Sequence, residues 1–319
     1  MPILYLVVPC YNEEEIIEWS AKNLLEKINE LIERHLISNE SKIIFVNDGS
    51  RDKTFEILAK LCKDEIKFIL INFTRNFGHQ NAILAGMLFS KDFSDAVITI
   101  DADLQQDINA IELFVLCYLK GCDVVYGVRN SRETDGLFKR ASANMFYWLM
   151  HLLGCDVVAN SADYRLMSKR ALQTLAEYNE TNLFLRGLIP LMGFQSDIVY
   201  FDVKPRKGGK SKYSLKKMIT LAIDGITSLS IKPIRFVTAL GMCMCVFAIF
   251  MIIFSLCTWI IKGAVPGYTT TVISTWLVGG AILLSEGIIG EYIGKMYFET
   301  KKRPRFIIES IIQVESSKK

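Results

Sequence analysis

The chain has 319 residues, enough for one large domain and an appendage, and its 51% hydrophobic content with mean hydropathy +0.27 is high for a water-soluble protein. A net charge of +3 is too small for a nucleic-acid binder, and the basic residues cluster beside apolar stretches instead. Eight cysteines without CxxC spacing read as small apolar residues of a reducing compartment, and His35, His79 and His151 make no ligand cluster in the sequence.

Residues 3–9 predict a strand, and the lack of a basic stretch before it predicts no signal peptide. Cys10-Tyr11-Asn12 then turns into a helix ending near His35. Asn12 stands in N-cap position with Glu15 three residues on, while Glu13 and Glu14 read equally as first-turn acids or as ligand contacts. A second strand over 42–46 ends in Asn47-Asp48-Gly49-Ser50 before a helix over 52–62. Asp48 is either a turn former or an acceptor for a nucleobase N–H. The third strand, 68–73, ends in Thr74-Arg75-Asn76-Phe77-Gly78-His79, and a helix follows over 80–89.

Val97-Ile98-Thr99-Ile100-Asp101-Ala102-Asp103-Leu104-Gln105 begins as a buried parallel strand and ends in two carboxylates. Ligands of open α/β sheets bind beyond the carboxyl ends of the strands, where Asp101 and Asp103 would stand. One acid can accept from a sugar hydroxyl while the other reaches a hard divalent cation that also holds a diphosphate. If the chain stays extended, Gln105 shares a side with Asp103 and is a second ligand. An Asp-x-Asp pair alone is more often a solvated turn. Here four strand-to-helix units, each with a polar cluster at the strand's carboxyl end, define a doubly wound α/β nucleotide-binding domain. The missing G-x-G-x-x-G argues against a nicotinamide dinucleotide.

A helix over 108–120 and a fifth strand over 123–127 lead to Arg129, Arg132, Lys139 and Arg140, which form either a solvated basic face or an anion site. An aromatic-rich helix runs to 153. Asp163 and Arg165 lie on one side of a short segment before a helix over 169–178; a helix over 183–192 and a strand over 197–203 follow. Residues 204–213 carry two glycines and five cations, a loop composed to close over a diphosphate. Leu215, Met218, Ile219, Ala222, Ile223 and Ile226 recur at helical spacing, as in an interfacial or a core helix. Residues 236–261 and 263–285 are uncharged, each long enough as a helix for the roughly 30 Å hydrocarbon core. Lys and Arg flank this pair far more than its hairpin loop, which predicts a cytoplasmic position for both termini.

Taken together, Val8-Pro9-Cys10-Tyr11-Asn12-Glu13, Asn47-Asp48-Gly49-Ser50, Asp101-Ala102-Asp103-Leu104-Gln105 and Gly209-Lys210-Ser211-Lys212-Tyr213 resemble the family 2 glycosyltransferases of GT-A fold, in the polyprenyl-phosphate branch that includes dolichol-phosphate mannose synthases. Asp224-Gly225-Ile226-Thr227-Ser228, Pro233-Ile234-Arg235, Gly290-Glu291-Tyr292-Ile293-Gly294 and the paired spans look most like bactoprenol glucosyltransferases. The resemblance implies a GT-A domain over 1–213, a juxtamembrane segment over 214–235, transmembrane helices over about 236–261 and 267–290, and a cytoplasmic tail over 295–319 of this inner-membrane protein.

It further implies inverting transfer of one sugar to undecaprenyl phosphate at the cytoplasmic leaflet, for surface-polysaccharide or O-antigen modification. UDP-glucose is the expected donor, with GDP-mannose and UDP-amino sugars as alternatives, Mg²⁺ or Mn²⁺ as cofactor, and a homo-oligomer, a tetramer by analogy. A processive polysaccharide synthase would need more spans, and a nucleotide-sugar-binding scaffold is the non-enzymatic alternative. By position, Pro9, Tyr11, Glu13 and Asp48 would hold the nucleoside, Asp101 the ribose or sugar, and Asp103 and Gln105 the metal. Arg129 and Arg140 would match acceptor-phosphate residues, Arg206 and Lys212 the diphosphate loop, and Asp163 a base or an orienting group. The usual Gln-Asp-Pro-Pro is here Gln105-Gln106-Asp107-Ile108, which leaves Gln106 as a competing ligand.

Overall fold

A computed structural model describes residues 1–130, 161–180, 184–203, 232–262 and 267–314. The first strand, β1 (Leu4–Cys10), leads into α1 (Ile17–Glu33), and β2 (Lys42–Asn47) into α2 (Thr54–Asp64). Next come β3 (Phe68–Phe73) with α3 (His79–Ser90), and β4 (Ala96–Thr99) with α4 (Ala110–Leu119). Beyond β5 (Val124–Arg129) lie β6 (Ser161–Ser168), α5 (Lys169–Glu177), α6 (Leu185–Leu191) and β7 (Ser196–Phe201). Two long helices, α7 (Lys232–Lys262) and α8 (Tyr268–Lys301), precede the last strand, β8 (Ile308–Gln313).

Alternation along each strand feeds two cores. Leu4, Leu6 and Val8 of β1 pack on one face with Leu24 and Ile28 of α1, Leu58 of α2 and Phe114 of α4. Tyr5 and Val7 point the other way, to Ala85 and Met87 of α3, Leu172 of α5 and Leu188 of α6. Helices thus cover both faces of one eight-stranded sheet of order β7-β5-β6-β4-β1-β2-β3-β8. Pairing is parallel from β4 through β1 and β2 to β3, and again between β5 and β7. The chain moves outward from β1 to β3, then returns to β4 on the other side of β1, which places the switch point, and the crevice it opens, between the ends of β1 and β4.

Two strands run against the rest, and the sequence pattern foresaw neither. The segment read only as carrying Asp163 and Arg165 is β6, antiparallel to both β4 and β5, with Thr99 opposite Arg165. Residues 308–313, within the stretch read as a tail, form β8 antiparallel to β3.

Among the described residues one helix segment, Leu277–Lys301 with mean hydropathy 1.4, is long and apolar enough to cross a membrane. That segment overlaps the expected second span, 267–290, in α8; the expected first span, 236–261, falls within α7, which is continuous over 31 residues and contacts α8. Residues 214–231, including the expected interfacial helix, lie outside the described residues, as do Pro266 and the helix predicted to reach 153.

Candidate active site

Because β6 runs against β4, its first residues meet the carboxyl end of β4, and Asp163 arrives beside Asp101. Thr99 Oγ1 donates to the Asp163 carbonyl at 2.6 Å, fixing the two strands at that point. The Asp163 carboxylate is buried and receives N–H groups on both oxygens. Arg165 Nη2 donates to Oδ1 at 2.8 Å, Arg186 Nε to Oδ1 at 3.1 Å, and Arg186 Nη2 to Oδ2 at 2.8 Å, with His79 Nε2 at 3.6 Å from Oδ2. Four donors face the roughly four lone-pair positions of a carboxylate. Burial alone would raise this group; the Arg186 and Arg165 guanidiniums and the His79 contact instead hold it well below the usual carboxylate range.

His79 opens α3 and stands between two carboxylates, its Nε2 also 3.6 Å from Asp101 Oδ1. Burial works against its charged form, yet the pull of Asp163 and Asp101 raises its pKa above the ordinary imidazole value. Along the chain this histidine has no ligand neighbours. The signal that could have found it is its place at the end of the β3 polar cluster, the same address as Asp48 and Asp101.

Beyond β4 the chain does not stay extended. Leu104 takes a left-handed φ of 47° and its N–H donates to the Asp101 carbonyl at 3.2 Å, so residues 101–104 make a turn. This removes the premise that Asp103 and Gln105 share a side by strand alternation; the Gln105 N–H donates to Asp103 Oδ1 at 3.2 Å within the same turn. Gln106, considered as a competing ligand, is 3% exposed and spends both ends of its amide on Asp101. Its Oε1 accepts the Asp101 N–H at 2.9 Å and its Nε2 donates to Asp101 Oδ2 at 2.5 Å. Asp101 Oδ1 is buried and, beyond the His79 contact at 3.6 Å, has no hydrogen-bond partner among the described residues. Burial, with the charges of Asp163 and Asp103, raises the Asp101 pKa against the opposing pull of His79.

Among the described residues no group of three His, Cys, Asp or Glu side chains is arranged to hold a metal ion. A Mg²⁺-like ion needs fewer, because it commonly binds through one or two carboxylates with substrate phosphates and water completing its shell. The unpartnered Asp101 oxygen and the neighbouring Asp103 carboxylate are oxygen donors of that kind, so the residues present fit a divalent cation.

Across the crevice the loops after β1, β2 and β3 are tied to one another. Pro9 sits within β1 opposite Val46, and Tyr11 follows the strand. Asn12, expected to cap α1, has a left-handed φ of 54°, and its Oδ1 instead accepts the Arg51 N–H at 2.9 Å. The helix begins at Ile17 without a side-chain cap, because Asn12 is engaged with the β2 loop. Glu13 N–H donates to Thr54 Oγ1 at 2.9 Å in the same seam. Asp48 is buried, and its carboxylate accepts the N–H groups of Phe77 at 2.6 Å and Gly78 at 3.0 Å. In this structure it holds the β3–α3 corner that carries His79. Burial raises its pKa against those two bonds. Gly49 sits in the same seam with φ +60°, where a Cβ would stand 2.3 Å from the Arg75 carbonyl carbon.

Arg129 ends β5 at the carboxyl edge of the sheet and is exposed. Arg132, Lys139, Arg140, Arg206 and Lys212 lie outside the described residues.

A glycosyl transferase family 2 model matches residues 5–176, a span containing β1 through β6 and the acids at their tips. The chain belongs to glycosyl transferase family 2. It is 46% identical to "Uncharacterized glycosyltransferase YkoT" of Bacillus subtilis (strain 168) over 97% of this chain and 91% of that one. It is 36% identical to the bactoprenol glucosyl transferase of Shigella phage SfX, covering 96% of this chain and 98% of the relative. Among solved structures, a glucosyl-3-phosphoglycerate synthase from Mycobacterium tuberculosis aligns over 72% of this chain and 79% of its own at 19% identity, with a TM-score of 0.46. The crevice at the β1–β4 switch point, with Asp101 and Asp163 at its edge, is the candidate site of this family 2 glycosyltransferase.

Proposed function

We propose that this glycosyltransferase moves one sugar, with inversion, from a nucleotide diphosphate donor to a polyprenyl phosphate at the cytoplasmic leaflet. UDP-glucose and undecaprenyl phosphate are the substrates we assign, for modification of a surface polysaccharide such as O-antigen. The observation that carries the reading is the union of a charged crevice at the switch point with two long helices that expose apolar side chains. Phe236, Met242, Phe250, Leu277 and Leu283 are each more than half exposed, as suits a lipid surface. The relatedness to a bactoprenol glucosyl transferase over nearly the whole chain supports the acceptor. On this reading α7 and α8 are the two spans, and the sheet's carboxyl edge meets the headgroup layer.

A phosphate monoester has a second pKa of about 6, so at neutral pH the acceptor already carries its nucleophilic oxyanion. No strong base is then needed, which agrees with an Asp163 whose lone pairs are met by Arg165, Arg186 and His79. We therefore assign Asp163 to orienting Arg186 at the crevice. Asp101, fixed by Gln106, faces the sugar or ribose. Tyr11, Glu13 and Pro9 line the nucleoside side with Asp48 behind them, Asp103 with the Asp101 Oδ1 oxygen would hold the cation in place of the expected Asp103–Gln105 pair, and Arg129 and Arg140 serve the acceptor phosphate. A divalent cation there would neutralise charge on the departing diphosphate, with Arg206 and Lys212 completing the same task.

Incubating membranes that contain the protein with labelled UDP-glucose and short polyprenyl phosphates tests the proposal. A single labelled sugar on extractable lipid, lost on chelation, is expected. Label from GDP-mannose or a UDP-amino sugar in its place moves the donor assignment, and no lipid product from any of the three refutes the acceptor.

A further inference from the structure

After β7 the chain departs toward the long helices and rejoins the sheet as β8 beside β3. Two lines of contact run from this returning segment to the candidate site. The first is polar. Asn72 Nδ2 donates to Glu309 Oε2 at 2.7 Å, Asn47 Nδ2 donates to Asn72 Oδ1 at 2.7 Å, and Ser50 Oγ donates to Asn47 Oδ1 at 2.6 Å. The Asn12 N–H then donates to Ser50 Oγ at 3.0 Å, which ties the line to the rim of the crevice. Asn47 and Asn72 are 2% and 6% exposed, so a lost partner leaves a buried amide unpaired.

The second line is aromatic. Phe306 stacks on Phe73 with ring centroids 5.3 Å apart, and Phe73 meets Phe77 edge-on at 5.7 Å. Phe77 is the residue whose N–H Asp48 accepts, two positions before His79. The return is itself anchored: Arg305 Nη1 donates to the Tyr178 carbonyl at 2.9 Å, and the Thr74 N–H donates to the Ile307 carbonyl at 3.2 Å.

We propose that residues 305–309 are a positioning element of the donor site. Glu309 fixes the Asn12–Ser50 rim through two buried asparagines, and Phe306 fixes the corner that presents His79. The nucleotide diphosphate is then held fully only when the chain beyond α8 is seated on β3, which couples the placement of the membrane helix to donor affinity. This inference rests on reading the crevice as a nucleotide-sugar site.

The test uses the full-length protein in detergent, with UDP and GDP as calorimetric probes. Glu309→Leu and Phe306→Ala are each expected to weaken nucleotide binding roughly tenfold, which for Glu309→Leu is the scale of one hydrogen bond to a charged group. The donor KM should rise by the same factor while the KM for polyprenyl phosphate stays put. Glu309→Gln, which keeps an acceptor oxygen for Asn72, should remain within about twofold of wild type, as should the exposed Gln313→Ala control. Wild-type binding by both Glu309→Leu and Phe306→Ala overturns the inference alone, and so does an equal rise of both KM values with a lowered Tm, which marks a merely structural role. A wild-type protein that binds neither nucleotide sinks the site reading and the inference with it.

Discussion

The two walls of the crevice are made of different material. At the tips of β1, β2 and β3 the loops are held by amides, hydroxyls and backbone groups: Asn12, Asn47, Ser50, Thr54, and an Asp48 turned toward main-chain N–H groups. At the tips of β4 and β6 the contacts are ionic, with Asp101, Asp163, Arg165, Arg186 and His79 in mutual reach. The first wall has no ion pair among the described residues, its carboxylates Asp48, Glu14 and Asp52 accepting N–H and hydroxyl groups, so it loses about 1 kcal/mol per neutral bond and degrades gradually. A buried ionic wall holds only as a set, because removing one member leaves the others' charge uncompensated. The neutral wall is suited to shaping a pocket, and the ionic one to meeting a substrate whose charge changes during reaction.

Breaking the ionic set should therefore have the largest effect. Asp163→Asn leaves Arg165, 1% exposed, without its buried counter-charge, and unfolding in urea should show a loss of about 3–5 kcal/mol. A normally stable variant with a pH-dependent loss of turnover would instead make Asp163 the base. Next comes Asp103→Asn, expected to cut transfer of labelled sugar by roughly 10²–10³-fold at unchanged Tm. Turnover near wild type in that variant would dismiss Asp103 as a cation ligand.

On the neutral wall the greatest single effect is expected at Gly49, where left-handed backbone and the close approach of Arg75 both oppose a side chain. Gly49→Ala should cost about 2 kcal/mol in unfolding and weaken nucleotide binding. An unchanged Tm would show that the β2 and β3 loops are not locked together.

The smallest and most diagnostic effect is in pH. His79 has a raised folded pKa, so its stabilisation is complete below its unfolded value of about 6.5 and is lost as pH rises through the folded value. Asp163 has the opposite sign: its contribution stands above about pH 3.9 and fades only as pH falls toward its depressed folded value. Between about pH 6.5 and 9 the wild-type Tm should therefore fall more steeply than that of His79→Gln. Parallel curves would remove His79 from the ionic set.

Much of this was legible in one dimension. Strand runs followed by polar clusters located the acids at the carboxyl edge, since a parallel strand buried on both faces is apolar until the residue where it emerges. Asp48 shows the limit of that logic: its address was right, but its carboxylate faces Phe77 and Gly78, because the β3 corner folds back over it. The Asn12 cap failed for a similar reason, a loop partner at Arg51 competing with the helix end. Strands β6 and β8 escaped notice because a strand carrying Asp163 and Arg165, or one at a sheet edge, owes its form to its neighbours more than to its own propensity.

Local chemistry in the sequence thus determined the α/β layering, the run of apolar residues in α7 and α8, and the positions of Asp101 and Asp103 at a strand end. Which residues meet was decided by the fold. Antiparallel pairing of β6 brought Asp163 to Asp101 across 62 positions of chain and His79 between them, and the return of β8 set Glu309 against Asn72. Periodicity reports which face a side chain takes, whereas strand order and direction, fixed by packing of the whole sheet, choose its partners.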